Sequence, residues 1–339
     1  MAVFFPSVIG QHAQKQALGR RVLDGRFPHA LLIEGEAGSG KRFFATQLAA
    51  ALQCQGGGDT LPCGGCSACK KVLGGIAPDV YYLDAGDRAT ISVDAVRQMR
   101  KDMYLSATEA DRKVYVIEGA DTMTIQAQNA LLKVLEEPPT EMTVLLLAER
   151  AEALLTTILS RVQTVRLAPL TREEMWQFAE SHQLFGGRAK TERDACEYLI
   201  TAAAGRPGVL QNLAGRSEGN ALLKKRQTAL DLLEVIALRK TAAQLHDAFS
   251  ALPTKRGELQ DLLGTVLLAT RDLCLAVKCE EVPLLCYTDS KEVQRIASAF
   301  GAARLFKLYD LWLRTEDALE KNANVSLTLS ELSMQLMKL

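Results

Sequence analysis

The sequence predicts an α/β fold with a parallel sheet, followed by a chain that stays helical to its end. Three observations carry this. The apolar run Ala30-Leu31-Leu32-Ile33-Glu34 breaks into Gly35-Glu36-Ala37-Gly38-Ser39-Gly40-Lys41-Arg42 and then into a helical pattern. Further short apolar runs at 78–83, 113–118, 143–147 and up to Leu167 alternate with helical periods, which predicts a five-stranded parallel sheet. Beyond Pro169 the strand signals stop.

At 339 residues the chain exceeds one ordinary core, so two or three domains are expected. Lys plus Arg and Asp plus Glu both number 40, so no global field draws the chain onto nucleic acid or anionic lipid. That balance speaks against a zinc-dependent DNA-binding protein. No apolar run approaches the ~20 residues of a membrane span, and Met1-Ala2-Val3-Phe4-Phe5-Pro6 lacks a basic flank and a cleavage site. A cytoplasmic protein is expected, with no membrane partner. In such a chain, clustered cysteines point to metal rather than to disulfides.

Taken in order, residues 9–26 carry Ala13, Ala17, Val22 and Leu23 on a loose helical period ending near Gly25. His29, alone before the first strand, reads as a packed structural histidine. Gly35, Gly38, Gly40 and Lys41 then fit the G-x-x-x-x-G-K core of a phosphate loop, whose backbone N–H groups close around phosphates at a helix N-terminus. The next position departs from the motif. A Ser or Thr there puts a hydroxyl on Mg²⁺, whereas Arg42 brings a cation that cannot ligate another. Phe43, Phe44, Leu48 and Leu52 mark the expected buried face of the helix that follows.

Cys54, Cys63, Cys66 and Cys69 follow with the spacing C-x8-C-x2-C-x2-C, around Gly56-Gly57-Gly58. Two overlapping C-x-x-C turns gather three thiolates, and Cys54 can return as the fourth ligand of tetrahedral zinc. Four ligands leave no open position for water, so the metal is expected to be structural. A redox C-x-x-C or buried free thiols are the rival readings, and either leaves two of the cysteines without a reason. Cys196, Cys274, Cys279 and Cys286 lie on helical patterns and read as small buried hydrophobes.

After the strand at 78–83, Ser92 caps a helix running to Met103. The strand Lys113–Glu118 ends on an acid. Phosphate-loop ATPases place an Asp there for Mg²⁺, followed in many families by a Glu that orients the attacking water. Here Glu118 is one methylene too long and Gly119 has no carboxylate, so no catalytic base stands in this register. Asp121 or Thr122 is expected to cap the next helix, whose apolar face is Ala127, Ala130, Leu131, Val134 and Leu135 and which Pro138-Pro139 stop. A strand at 143–147, a short helix, Ser160-Arg161 and a fifth strand through Leu167 complete the α/β part. On residue type alone, Arg161 reads as a surface ion-pair member.

Thr171-Arg172-Glu173-Glu174 opens a capping box, and helical patterns near 171–183, 191–203 and 207–215 predict a small three-helix unit. From Asn220 to Leu339 the reading is helix throughout, with Ala229-Leu232-Leu233-Ile236, Leu262-Leu263-Val266-Leu267 and Leu305-Leu308-Leu311-Trp312 as buried stripes.

Together the loop GEAGSGKR, the cysteine module, the run Asn129-Ala130-Leu131-Leu132-Lys133-Val134-Leu135-Glu136-Glu137-Pro138-Pro139 and the Ser160-Arg161 pair resemble the AAA+ clamp-loader subunits of bacterial DNA polymerase III over the whole length. The resemblance implies an AAA+ P-loop domain at 1–169 with its zinc module at 54–69, a helical lid at 170–216 and an all-α C-terminal collar at 217–339. Two branches compete: the tau/gamma ATPase, and the delta-prime branch, which shares the three-part plan with poor or absent ATPase. The tau/gamma pattern wants Lys-Thr in the loop, Asp-Glu after the third strand, a Thr after the fourth and an Arg in the last lid helix. This chain has Lys41-Arg42, Glu118-Gly119, Ala148-Glu149 and Gly208 at those places.

Loss of metal ligand, base and both sensors removes what phosphoryl transfer relies on. The resemblance therefore implies a delta-prime-like subunit, its own ATPase absent or very weak, with a divergent tau/gamma-like motor as the alternative. It further implies assembly with tau/gamma and delta to load the sliding clamp on primed DNA, with the loop at Gly35, Gly38, Gly40 and Lys41 either empty or holding ADP or ATP without turnover. Arg161 matches the family's arginine finger, which reaches into a neighbouring subunit's ATP site; Val162 replaces the Cys of that motif, and the finger needs no thiol.

Overall fold

The computed structural model describes residues 2–56, 58–139, 141–238, 244, 247–249, 252–279 and 283–338. The chain divides into two compact units, 1–181 with 204–209, and 182–203 with 210–339.

In the first unit the order is β1 (Val3–Phe4), α1 (His12–Leu23), β2 (Ala30–Glu34), α2 (Lys41–Leu52), β3 (Thr60–Leu61), α3 (Ser67–Leu73), β4 (Val80–Leu83), α4 (Val93–Met103), β5 (Lys113–Glu118), α5 (Ile125–Glu136), β6 (Met142–Ala148), α6 (Thr156–Leu159), β7 (Gln163–Arg166) and α7 (Arg172–Ser181). Five strands form one sheet in the order β4-β5-β6-β2-β7, every pair parallel. The two-residue side chain period sorts the core: Leu31, Ile33, Val116, Leu145 and Leu147 pack on Phe44 and Leu48 of α2, while Leu32, Tyr115, Ile117, Val144 and Leu146 pack on Val96, Leu131 and Val134. The chain leaves β2 toward β4 on one side and returns to β7 on the other. Such a reversal opens a crevice beyond the carboxyl end of β2, and the glycine-rich loop lies there.

Several expectations need correction. Helix α1 buries Leu18 and Gly19, while Ala13 and Ala17 are exposed and Leu23 is 57% exposed, because Gly19 is the position that lets α1 approach the Phe4 ring. Phe43 faces outward at 47% exposure, and α2 instead buries Phe44, Leu48 and a run of alanines. Asp121 and Thr122 lie in a 3₁₀ turn, so α5 is capped by Thr124, whose hydroxyl accepts from the Ala127 N–H at 3.2 Å. The parallel pairing of β1 with β3, Val3 opposite Thr60 and Phe4 opposite Leu61, had no sequence signal at all. Two caps stand as expected: Ser92 accepts from the Ala95 N–H at 3.4 Å, and Thr171 and Glu174 bond reciprocally at 2.9 and 3.2 Å.

One buried acid holds the approach to β5. The Asp79 carboxylate, 1% exposed, accepts backbone N–H groups of Thr108, Glu109 and Ala110 at 2.7, 2.7 and 2.8 Å. Burial alone would raise its pKa, but those N–H groups and Lys113 outweigh it and hold the carboxyl below its ordinary value. Its contribution is complete above the unfolded-state value of about 3.9 and is lost as pH falls through the lower folded value. Asp79→Ala is expected to cost about 3 kcal/mol at pH 7, read from urea midpoints, and distinctly less near pH 3.

The second unit is helical. It contains α8 (Arg188–Thr191), α9 (Arg193–Ala202), most of α10 (Pro207–Ala214), then α11 (Arg216–Ala237), α12 (Arg256–Ala276), α13 (Ser290–Phe300), α14 (Ala302–Glu320) and α15 (Val325–Lys338). Trp312 is fully buried among Leu233, Leu259, Val266, Leu305 and Leu308. The helical reading is interrupted at 285–287, where the buried Asp272 carboxylate accepts three successive backbone N–H groups at 2.9, 2.7 and 3.1 Å. Cys196 and Cys286 are buried as expected, Cys274 is half-buried, and Cys279 is exposed just past the end of α12. Of the expected features, Gly57 and the parts of the helical stretch at 239–243, 245–246, 250–251, 280–282 and 339 lie outside the described residues. No helix among the described residues is long and apolar enough to cross a membrane.

Candidate functional site

The loop after β2 keeps the shape of a phosphate cradle. Gly38 and Gly40 have φ of +77° and +89°, values that L side chains resist, and they turn the chain into the first residue of α2. No side chain caps that helix end and its first turn carries no acid, so its N–H groups remain available to an anion. Lys41 folds back, donating from Nζ to the carbonyls of Gly35 at 2.7 Å and Glu36 at 3.0 Å, with Glu149 at 4.0 Å. Burial lowers its pKa, opposed by Glu149, Asp121 and Glu118. Gly35, Gly38, Gly40 and Lys41 are therefore brought together as one loop at the switch point of the sheet.

The parts that serve hydrolysis elsewhere are committed to other contacts. Arg42 donates from Nη1 to Glu118 Oε2 at 2.8 Å. Gly119, at φ +68°, has no side chain to orient a water. Asp121 accepts the N–H groups of Glu149 and Arg150, both at 3.3 Å, and so holds the turn after β6. Gly208, at the start of α10, donates its N–H to the Gly38 carbonyl at 2.8 Å, and a Cβ there would lie 3.0 Å from the Gly38 Cα. A larger residue at 208 would force the two backbones apart. The residues present do not fit Mg²⁺, since one ligand position carries a guanidinium and the other is its salt-bridge partner. Beside the loop, Gly35, Ser39, Glu149, Glu152, Arg166 and Arg206 line a cleft of about 310 Å³.

The four cysteines converge, their sulfurs all within 4.8 Å of one another. Backbone N–H groups point at sulfur three times: Cys63 to Cys54 at 3.5 Å, Cys66 to Cys63 at 3.4 Å and Cys69 to Cys66 at 3.4 Å. A Cβ on Gly56 would meet the Cys63 sulfur at 2.5 Å, so only glycine leaves room for the cluster. At Cys66, burial opposes ionisation, but N–H groups of Cys69 and Gln55 and the neighbouring thiols bring the pKa down to about 6. Burial pushes Cys69 up. Four sulfurs at this mutual distance, with N–H donors that stabilise thiolates, fit a tetrahedral metal such as zinc, which would tie α2 to α3.

Arg161 lies apart from both sites, just after α6. It pairs with Glu136 of α5 at 2.9 Å and donates to the Thr157 carbonyl at 2.9 Å and the Ser160 hydroxyl at 3.2 Å. Glu136 and Tyr82, whose ring centroid lies 5.3 Å from the Arg42 guanidinium carbon, are site residues that the sequence alone does not single out. The signal for the first was present in Glu136-Glu137-Pro138-Pro139, where a carboxylate ends a helix; the second carries no local signal.

The family described as DNA polymerase III, delta subunit, matches residues 10–171. A DNA polymerase III subunit delta-prime from Pseudomonas aeruginosa is 31% identical over 244 residues, covering 72% of this chain and 71% of that one. This chain belongs to the delta-prime family of DNA polymerase III subunits. A Bacillus subtilis member is 29% identical over 266 residues, covering 78% and 77%. A DNA polymerase III subunit gamma from Buchnera aphidicola is 31% identical over 201 residues, and the chain spans only 54% of that relative's length. The family match thus covers the phosphate loop, the cysteine module and Arg161 together. A solved DNA polymerase III gamma subunit-related protein from Thermotoga maritima superposes with a TM-score of 0.39 at 20% identity, too distant to add to the sheet order.

Proposed function

We propose that this chain is a clamp-loader subunit of DNA polymerase III that assembles with tau/gamma and delta, and within that complex serves the loading of the sliding clamp on primed DNA in the cytoplasm. Its division of labour follows the three parts 1–169, 170–216 and 217–339, with the last as the collar through which it docks. The observation that carries the reading is the Arg42–Glu118 ion pair, which takes both Mg²⁺ ligand positions of the phosphate loop out of use. Without metal or base, this chain contributes to ATP turnover in trans, through Arg161 at a neighbouring subunit's site. The loop formed by Gly35, Gly38, Gly40 and Lys41 holds ADP or ATP without cleaving it, and zinc on Cys54, Cys63, Cys66 and Cys69 is structural.

The purified chain alone is expected to show no ATP hydrolysis above the level of a Lys41→Ala control, measured by phosphate release with and without Mg²⁺. Mixed with tau/gamma and delta, it is expected to elute as one complex. Brisk Mg²⁺-dependent hydrolysis by the lone chain would instead identify a divergent tau/gamma-like motor.

A further inference from the structure

In phosphate-loop proteins a hydroxyl after the lysine and a carboxylate ending a nearby strand of the same sheet hold Mg²⁺ between them. Arg42 and Glu118 occupy those two places, and their side chains meet at 2.8 Å. The guanidinium is placed from a second side by the Tyr82 ring, with 5.3 Å from its carbon to the ring centroid. Tyr82 is itself held, its hydroxyl 2.9 Å from Thr46 Oγ1, one turn along α2 from Arg42. Two separate departures from the motif therefore compose one arrangement: an organic cation fixed at the mouth of the loop, where the metal would otherwise be.

That cation is built to meet phosphate. Its side chain is 58% exposed and spends a single N–H on Glu118, which leaves the rest of the planar fork facing solvent. Arg keeps its charge at every accessible pH and matches phosphate oxygens bidentately. Directly beside it lie Lys41 and the uncapped, acid-free first turn of α2. A divalent ion approaching the same place would meet the guanidinium charge and find its carboxylate already engaged.

We infer that a nucleoside di- or triphosphate binds this loop without divalent metal, the Arg42 guanidinium, positioned by Glu118 and Tyr82, supplying the charge that Mg²⁺ supplies in related folds. The inference rests on the reading above that the loop retains nucleotide without turnover. It makes metal dependence, rather than affinity alone, the property that Arg42 decides.

The test is a titration of the full-length chain with a fluorescent ADP analogue, in EDTA and in excess MgCl₂. Dissociation constants within about twofold of each other in the two buffers are expected. Arg42→Thr, which restores a hydroxyl and frees Glu118, is expected to weaken binding in EDTA by about tenfold and to recover it when Mg²⁺ is added. Glu118→Gln is expected to remain insensitive to metal, and thermal melts verify that each variant is folded. Tenfold or greater tightening of the unmodified chain on adding Mg²⁺ would overturn the inference, and so would no binding in either buffer. Co-elution of the same samples with tau/gamma and delta keeps these failures separate from failure of the subunit assignment.

Discussion

Arg161→Ala is expected to leave assembly intact while lowering turnover at the neighbouring ATP site by about 10³-fold or more, the range over which an arginine finger acts when it neutralises transition-state charge. Assembly should survive because the contacts Arg161 makes within this chain are few and partly exposed, to Glu136, Thr157 and Ser160. A partly exposed ion pair of that kind contributes no more than about 1 kcal/mol to stability. The measurement is steady-state ATPase of the reconstituted loader with clamp and primed DNA, beside size-exclusion profiles of the same complex. Arg161→Lys separates geometry from charge, since a lysine restores the charge without the fork. Glu136→Gln releases the side chain from α5 and is expected to change kcat more than KM if that pairing aims the finger. Unchanged turnover in Arg161→Ala would remove the residue from the mechanism.

The second large effect concerns the cysteine cluster. Freshly purified protein is expected to carry about one equivalent of zinc, and a value below about half would argue against a closed four-sulfur site. Cys69→Ser is expected to lose the metal and to lower the melting temperature by roughly 5 °C or more. Cys69 is the buried member of the set, 3.6 Å from the Ala50 carbonyl of α2, so its sulfur is where the module joins the sheet-bearing core. Limited proteolysis should then cut first between 54 and 69. Because this region is distant in sequence from Arg161, the variant separates structural failure from a loss of contribution in trans.

Much of this was legible in the sequence wherever one local signal sufficed. The buried strands at 113–118 and 143–147 are continuous apolar runs, the phosphate loop is a contiguous motif, and the C-x-x-C turns draw their own thiols together. Elements decided by distant partners were not legible. Ala13 and Ala17 fit a helical period as well as Leu18 does, and only the Phe4 ring against Gly19 chose the buried face of α1. Asp121, Thr122 and Thr124 are all able caps, and the 3₁₀ turn that follows β5 selected the third. The two-residue strands β1 and β3 are too short for any periodicity and exist because they pair with each other.

The residues alone determined the α/β class, the four cysteines that could hold a metal and the presence of Arg42 and Gly119 where the motif has a hydroxyl and a carboxylate, because each is a matter of which atoms the chain carries at contiguous or closely spaced positions. Tertiary structure alone decided that Arg42 and Glu118, 76 positions apart, answer one another, that Gly208 lies against Gly38, and that Arg161 rests on Glu136. The reason is that an ion pair or a backbone contact depends on where the sheet order delivers two distant segments, and that order is set by the packing of the whole core.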